Sequence, residues 1–274
     1  MAWVALYQAQ TGIDPATNRA DLAAAAHEAA AGGAAMLFTP EMSGLLDANR
    51  ERARGHVVAE DDDPTLAAMR ESAAREGLWI HLGSLALQAG DGRFANRSFV
   101  IDPAGEIRGR YDKIHLFDVD LPNGERWRES AAYRPGEAVT LVEGTPVGTL
   151  GLTICYDLRF PALFARLAEA GADTIAVPAA FTVPTGKAHW HILLRARAIE
   201  AGLFVIAAAQ GGRHQDDRAT YGHSLVIDPW GEPLLDMGPG DTPRLAFAEV
   251  DLARIAEVRA RVPALEHRRP IPAI

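Results

Sequence analysis

The chain has a single cysteine, Cys155, within GLTICYDLRFP (151–161), where an apolar run ends and a helix begins about five residues later. A side chain on such a sharp strand-to-helix turn projects from the sheet end, beside a free backbone N–H and near a helix N-terminus. The positive end of that helix is expected to lower the thiol pKa and favour the nucleophilic thiolate. A thiolate that attacks a carbonyl needs a proton acceptor and a stabiliser for the oxyanion. Histidine is one source of the base, and His115, His189, His191, His214 and His223 all fall near strand ends or loops. A carboxylate working with an amine is the other. Glu41 follows the apolar run Ala35–Thr39 in FTPEMSG, and leaves the sheet at the same end as Cys155 if the two strands are parallel. Lys113 ends the run Ile107–Tyr111 in RYDKIHLF, and a lysine can pass a proton as an arginine cannot. His189 and His191, two apart, point to different faces of a helix, and no His-x-x-x-His pair occurs, so the spacing supports no metal site.

Composition sharpens this reading. Of 27 basic residues only Lys113 and Lys187 are lysine, so a lysine at a strand end is a marked residue. The net charge of −9 and the lack of a basic block argue against nucleic acid or anionic lipid as partner. The longest apolar runs, such as Leu203–Ala209, are far short of the ~20 residues of a membrane-spanning helix. Met1–Gln10 lacks a basic n-region and reads as a first strand, not a signal peptide. One cysteine forms neither an internal disulfide nor a thiolate zinc site, so a cytoplasmic protein is expected.

The elements that must position these residues come in two similar sets. The first is a strand (Val4–Gln10), a helix (Asp21–Ala31), a strand (Ala35–Thr39), a helix (Thr65–Arg75), a strand (Leu78–Leu87) and a strand–turn–strand (Ser98–Ile101, Ile107–Tyr111). Asp63, Pro64 and Gly77 mark the ends of the second helix. The second set repeats the order: a strand (Val147–Thr153), a helix (Pro161–Ala170), a strand (Thr174–Val177), a helix (His189–Glu200), a strand (Leu203–Ala208) and Ser224–Ile227 with Pro233–Asp236. SFVIDPAGE (98–106) matches SLVIDPWGE (224–232) at seven of nine positions. Two βαβαββ copies predict a pseudo-twofold α/β fold of two facing sheets with helices on both outer sides. No Pro/Ser-rich linker separates the halves, so residues 1–274 read as one domain.

Pro-Glu after one strand, Tyr-x-Lys after another and CYDLRFP at the elbow, in the order 41, 113, 155, resemble the three signature blocks of the nitrilase, or carbon–nitrogen hydrolase, superfamily. The resemblance covers nearly the whole chain and implies a four-layer αββα sandwich of two mixed sheets. It implies Glu41 as general base, Lys113 as holder of the tetrahedral intermediate and Cys155 as nucleophile. It adds Glu129, in RESAAYRPG (128–136), as a residue that positions Lys113 or the attacking water. On this reading the Tyr156 backbone N–H shares the oxyanion with Lys113, a thioester forms, ammonia leaves, water cleaves the thioester, and no cofactor or metal is required.

The second half narrows the branch. AFTVPTGKAHW (180–190), LRARAIE (194–200), AAQGGRH (208–214) and EHRRP (266–270) look like the deaminated-glutathione amidases, while KIHLFD and CYDLRFP are shared with the ω-amidases. The implied substrate is a small linear amide carrying an α-keto acid or carboxylate, deaminated glutathione ahead of 2-oxoglutaramate. Arg159, Phe181 and Thr185 are the substrate-binding candidates. Arg159 either clamps a substrate carboxylate or pairs with Asp157 or another acid, and Phe181 and Trp190 are pocket wall or core. Transfer to an amine acceptor shares the first half-reaction, and a non-catalytic binding module is disfavoured by complete blocks. A homodimer is expected by the same resemblance.

Overall fold

The computed structural model describes residues 1–120, 124, 126–240 and 242–272. The first half runs β1 (Ala2–Gln8), α1 (Pro15–Ala31), β2 (Met36–Phe38), α2 (Arg50–Arg54), α3 (Pro64–Glu76), β3 (Trp79–Gln88), β4 (Phe94–Ile101) and β5 (Ile107–Asp112). A small hairpin, β6 (Asp118–Asp120) and β7 (Arg126–Arg128), leads to the second half. There follow β8 (Leu141–Thr145), β9 (Gly148–Leu152), α4 (Pro161–Glu169), β10 (Thr174–Ala176), α5 (Val183–Ala201), β11 (Phe204–Ala207), β12 (Gly211–Arg213), β13 (Ala219–Tyr221), β14 (Leu225–Ile227), β15 (Pro233–Asp236), β16 (Arg244–Val250) and α6 (Ala253–Arg261).

The expected repeat is present in the topology. One six-stranded sheet has the order β16-β1-β2-β3-β4-β5, and the other β8-β9-β10-β11-β14-β15. In each, the second to fourth strands are parallel neighbours and the outer ones antiparallel. Side-chain alternation sorts the layers. Val4, Leu6, Met36, Phe38 and Val100 face the second sheet and share a core with Leu150, Leu152 and Ile206, while Ile175 and Val205 alternate to the outer side beside Gly151 and α4. Ala5, Tyr7, Leu37, Ile80 and Phe99 face the other way, onto α1 and α3 through Leu22, Ala26, Leu66 and Met69. On the second sheet, Leu163, Phe164 and Leu167 of α4 and Trp190 and Leu194 of α5 close the outer side. Each large side chain removed from water contributes about 1.5–3 kcal/mol, so both inner faces are energetically closed to charge.

Two helix starts differ from the sequence expectation. α1 begins six residues before Asp21, because Asp14 caps it by accepting from the Ala16 and Thr17 N–H groups, with Pro15 in the first turn. α5 begins six residues before His189, because Pro184 is tolerated in a first turn whose N–H groups lack partners anyway. α3 matches its expectation: Asp63 accepts from Thr65 and Leu66, and Gly77 ends it at φ +64°. β8, β16 and α6 lie outside the elements expected from the sequence, although α6 carries a helical apolar period in Leu252, Ile255 and Val258.

Candidate active site

Glu41, Lys113, Cys155 and Glu129 meet at one end of the two sheets, around the floor of a cavity. Glu41 lies three residues past β2 and Cys155 three past β9. These strands belong to opposite sheets, so it is the facing of the sheets and not parallel strands within one that joins the two side chains. A Cβ at Gly83 would collide with the Thr39 and Pro40 carbonyls, so β3 can lie against the segment entering Glu41 only with glycine there. Lys113 directly follows β5. Its N–H donates to the Asn96 carbonyl at 2.9 Å, and its carbonyl accepts from Gly136 N–H at 2.8 Å.

Lys113 is 2% exposed, Glu41 5% and Cys155 8%, so each charge here requires a partner. The Lys113 Nζ donates to Glu41 Oε1 at 2.9 Å and to both Glu129 oxygens at 3.1 and 2.9 Å. Asn96, on β4, donates its Nδ2 to Glu41 Oε1 at 2.9 Å and to Glu129 Oε1 at 3.3 Å. Glu129 Oε2 also accepts from the Phe117 N–H at 2.6 Å, and Glu41 Oε2 from the Ala180 N–H at 3.0 Å. Asn96 is the residue that sequence reasoning missed. The expected strand began at Ser98, which left Asn96 outside any element, and nothing local marks a side chain that bridges two carboxylates.

The charges dictate where the proton rests. Burial works to raise the Glu41 carboxyl, but the Lys113 ammonium and hydrogen bonds from Lys113, Cys155 and Asn96 hold it below the ordinary carboxylate value. Burial works to lower Lys113, and Glu129 and Glu41 together hold it well above its ordinary value. Burial and the neighbouring Glu41 carboxylate push the Cys155 thiol well above its ordinary value, against the opposing pull of Lys113. The expected depression of the thiol pKa by a helix end is therefore overturned. A short 3-10 turn, Cys155–Arg159, stands between the thiol and α4, and the nearer charge is negative. The resting pair is thiol and carboxylate.

Cys155 itself sits at φ +49°, a left-handed conformation that costs a non-glycine residue energy and is held here by its surroundings. Its N–H donates to the Pro178 carbonyl at 2.9 Å. Tyr156 follows in the first turn, where a backbone N–H has no intrahelical acceptor. Asp157 is fully buried and committed. It accepts from Tyr111 Oη at 2.7 Å, the Ile154 N–H at 2.9 Å and the His115 N–H at 3.0 Å, and its Oδ1 lies 2.7 Å from His115 Nδ1. Asp157 thus ties the segment after Lys113 to the Cys155 elbow and is not the partner of Arg159. Arg159 instead lies over the Tyr156 ring at 5.8 Å and the Phe181 ring at 5.4 Å, with no carboxylate within 4.0 Å among the described residues.

Arg159, Phe181 and Thr185 all line the cavity, whereas Trp190 is fully buried and packs behind Phe181 at 4.7 Å. None of the nine histidines lines it. His214 is buried between the Thr11 carbonyl and the Thr220 hydroxyl, and His115 stacks on Phe160. His191 and His223 both bond to Asp236, a grouping across α5 and the β14–β15 hairpin that spacing along the chain does not reveal. No helix among the described residues is long and apolar enough to cross a membrane.

A buried thiol, a carboxylate and an ammonium thus meet at one end of two facing mixed sheets in an α/β fold. The carbon-nitrogen hydrolase family profile matches residues 3–260. A deaminated glutathione amidase from Yersinia enterocolitica is 44% identical over 240 residues, spanning 86% of this chain and 82% of that protein. The C. elegans NitFhit protein superposes with a TM-score of 0.88 at 34% identity over 98% of this chain and 65% of that one. A glutamate-to-glutamine mutant of an amidase from Nesterenkonia sp. AN1, with the acetamide moiety of fluoroacetamide added covalently at its active-site cysteine, gives 0.81 at 28% identity, over 98% of this chain and 94% of that one. The chain belongs to the carbon–nitrogen hydrolase (nitrilase) superfamily. It is an amidase-type enzyme of that family.

Proposed function

We propose that the protein hydrolyses a small linear amide through a thioester on Cys155, with deaminated glutathione favoured over 2-oxoglutaramate as substrate. The observation that carries the reaction is the buried grouping of the Cys155 thiol with the Glu41 carboxylate and the Lys113 ammonium, which Glu129 also holds. Glu41 takes the thiol proton as the sulfur attacks the amide carbon. The oxyanion forms between the Lys113 ammonium and the Tyr156 N–H; a donor in such a position is typically worth ~2.7–4 kcal/mol. Glu41 then gives its proton to the nitrogen, the C–N bond breaks, and ammonia or an amine leaves according to the amide. Water loses a proton to Glu41 and attacks the thioester, which releases the acid and returns the proton to sulfur. Glu129 holds Lys113 in place throughout.

Arg159 supports an anionic acyl half, because a guanidinium free of acids in a cavity wall binds a carboxylate bidentately. Phe181 and Thr185 form the wall beside it. The name carried by the Yersinia relative favours deaminated glutathione. The test is kcat/KM for both compounds on one enzyme preparation, with deaminated glutathione expected to be the better substrate. A preference of tenfold or more for 2-oxoglutaramate, about 1.4 kcal/mol of transition-state discrimination, would move the protein to the ω-amidase branch.

A homodimer is part of the same reading. Ile192 and Ile199 stand seven residues apart on one face of α5, 69% and 52% exposed, and Trp230, which lines a groove with Ile199, is 46% exposed. Such a patch is expected to be covered by a second copy. Light scattering at micromolar concentration should give twice the mass of one chain, and a monomer would contradict it.

A further inference from the structure

The cavity has a cation at each end of an arc of aromatic rings. At the Cys155 end, Arg159 lies over Tyr156 and Phe181. The Phe117 ring packs edge-on to Tyr156 at 5.1 Å and lies 6.2 Å from Trp127. Over Trp127, at 4.8 Å, lies the guanidinium of Arg218. All six of these residues line the cavity. Arg218 sits between β12 and β13, on a segment that the reaction itself does not use.

Arg218 is held on one side and open on the other. Its Nη2 lies 3.2 Å from Asp216 Oδ2, and Asp216 is further occupied by the N–H groups of Ala48 at 2.8 Å and Arg218 at 3.1 Å. The Arg218 Nε is buried with no hydrogen-bond partner, and its Nη1 has none among the described residues. Asp47, the other acid on this side, is committed to Arg52 at 2.6 and 2.8 Å. Arg50, also in the cavity wall, donates to the Arg128 carbonyl and has no acidic partner within 4.0 Å among the described residues. A stacked guanidinium whose Nη1 is unpaired, in the cavity wall of an acidic protein, is a site for an anion.

We propose that Arg218 is a specificity residue that binds a carboxylate on the amine half of the substrate. The inference rests on the amide-hydrolase reading above. With the acyl half anchored at Arg159 beside Cys155, the leaving half extends along Phe117 and Trp127 to Arg218. The preferred substrates are then amides with an anion at both ends, whose amine half is an amino acid or short peptide with a free carboxyl terminus. A simple ω-amide that releases ammonia reaches only the Arg159 end. Leaving the Arg218 N–H groups unmatched is what discriminates against a substrate without the second charge.

The test compares deaminated glutathione with its C-terminal carboxamide, which has the same size and one charge fewer. Wild-type enzyme should prefer the acid in kcat/KM by about 10- to 100-fold, the range for a charged hydrogen bond. In Arg218→Gln this ratio should collapse towards one, chiefly through KM for the acid, and Arg218→Lys should restore part of it. A ratio that stays the same in Arg218→Gln, or equal losses on both compounds, would overturn the assignment and mark Arg218 as structural. Dissociation constants of the two compounds for Cys155→Ala give the same comparison without turnover. If wild-type enzyme hydrolyses neither compound, the proposed reaction fails. The Cys155→Ala constants still decide Arg218, since equal binding of acid and carboxamide rejects it.

Discussion

Cys155→Ala is expected to lose amide turnover by at least ~10⁴-fold while the protein stays folded, because no other group present can form the thioester. The substitution is mild for the structure. Alanine has the same Cβ as cysteine, so the φ +49° conformation is no more strained. Glu41 keeps its bonds from Lys113, Asn96 and the Ala180 N–H. Circular dichroism and a thermal midpoint within about 5 °C of wild type would establish the fold, a shift of roughly 1–2 kcal/mol at this size. Intact mass measurement during turnover of a slow amide should show an acyl adduct on the wild-type chain only. Retained turnover in the alanine variant would sink the mechanism.

Glu41→Gln should lower kcat by about 10³-fold or more, within the range that a positioned general base contributes. The amide cannot accept the thiol proton, and it is also poorly matched to its site. Oε1 of Glu41 faces donors from Lys113 and Asn96, and Oε2 faces the Ala180 N–H, so the glutamine NH2 meets a donor in either orientation. Some stability should be lost with the rate. The wild-type pH profile gives an independent check. The rate needs Glu41 ionised and, on this reading, the thiol as proton source. Glu41 is held below its ordinary value of 4.5, so the acidic limb of kcat/KM should fall below that value. Cys155 and Lys113 are held above 9.0 and 10.5, so no loss should occur before pH 9. A break near neutrality, or near-normal kcat in Glu41→Gln, would show that a histidine is the base.

Much of this site is legible in the chain because strand ends are local features. A short continuous apolar run (Ala35–Phe38), closed by Thr39-Pro40, places Glu41 at a sheet end without knowledge of its neighbours. The same holds for Lys113 after Ile107–Tyr111 and for Cys155 before the Pro161 helix start. The duplicated SFVIDPAGE and SLVIDPWGE segments carry the symmetry of the fold, since a turn and two strands of one length recur in one order. What the local pattern lacked was partner information. Asn96 falls outside any element expected from the sequence, and Asp157 reads as a neighbour for Arg159, until the facing sheets bring Tyr111 and His115 to Asp157 instead.

The chain by itself determined which groups stand at strand ends, and that two equivalent halves would build two sheets. Those properties follow from side-chain periodicity and turn residues within a few positions of each other. Only the tertiary structure decided how the sheets close and where the protons sit. β8 reaches its place beside β9 through a short turn, but the equivalent place beside β1 is taken by β16, from the other end of the chain, through the antiparallel register from Ala2↔Val250 to Gln8↔Arg244. The direction of the thiol shift reversed for the same reason. A pKa is set by burial and by charges in space, and the Glu41 carboxylate, 114 positions away along the chain, is a closer neighbour of the sulfur than the helix that follows it.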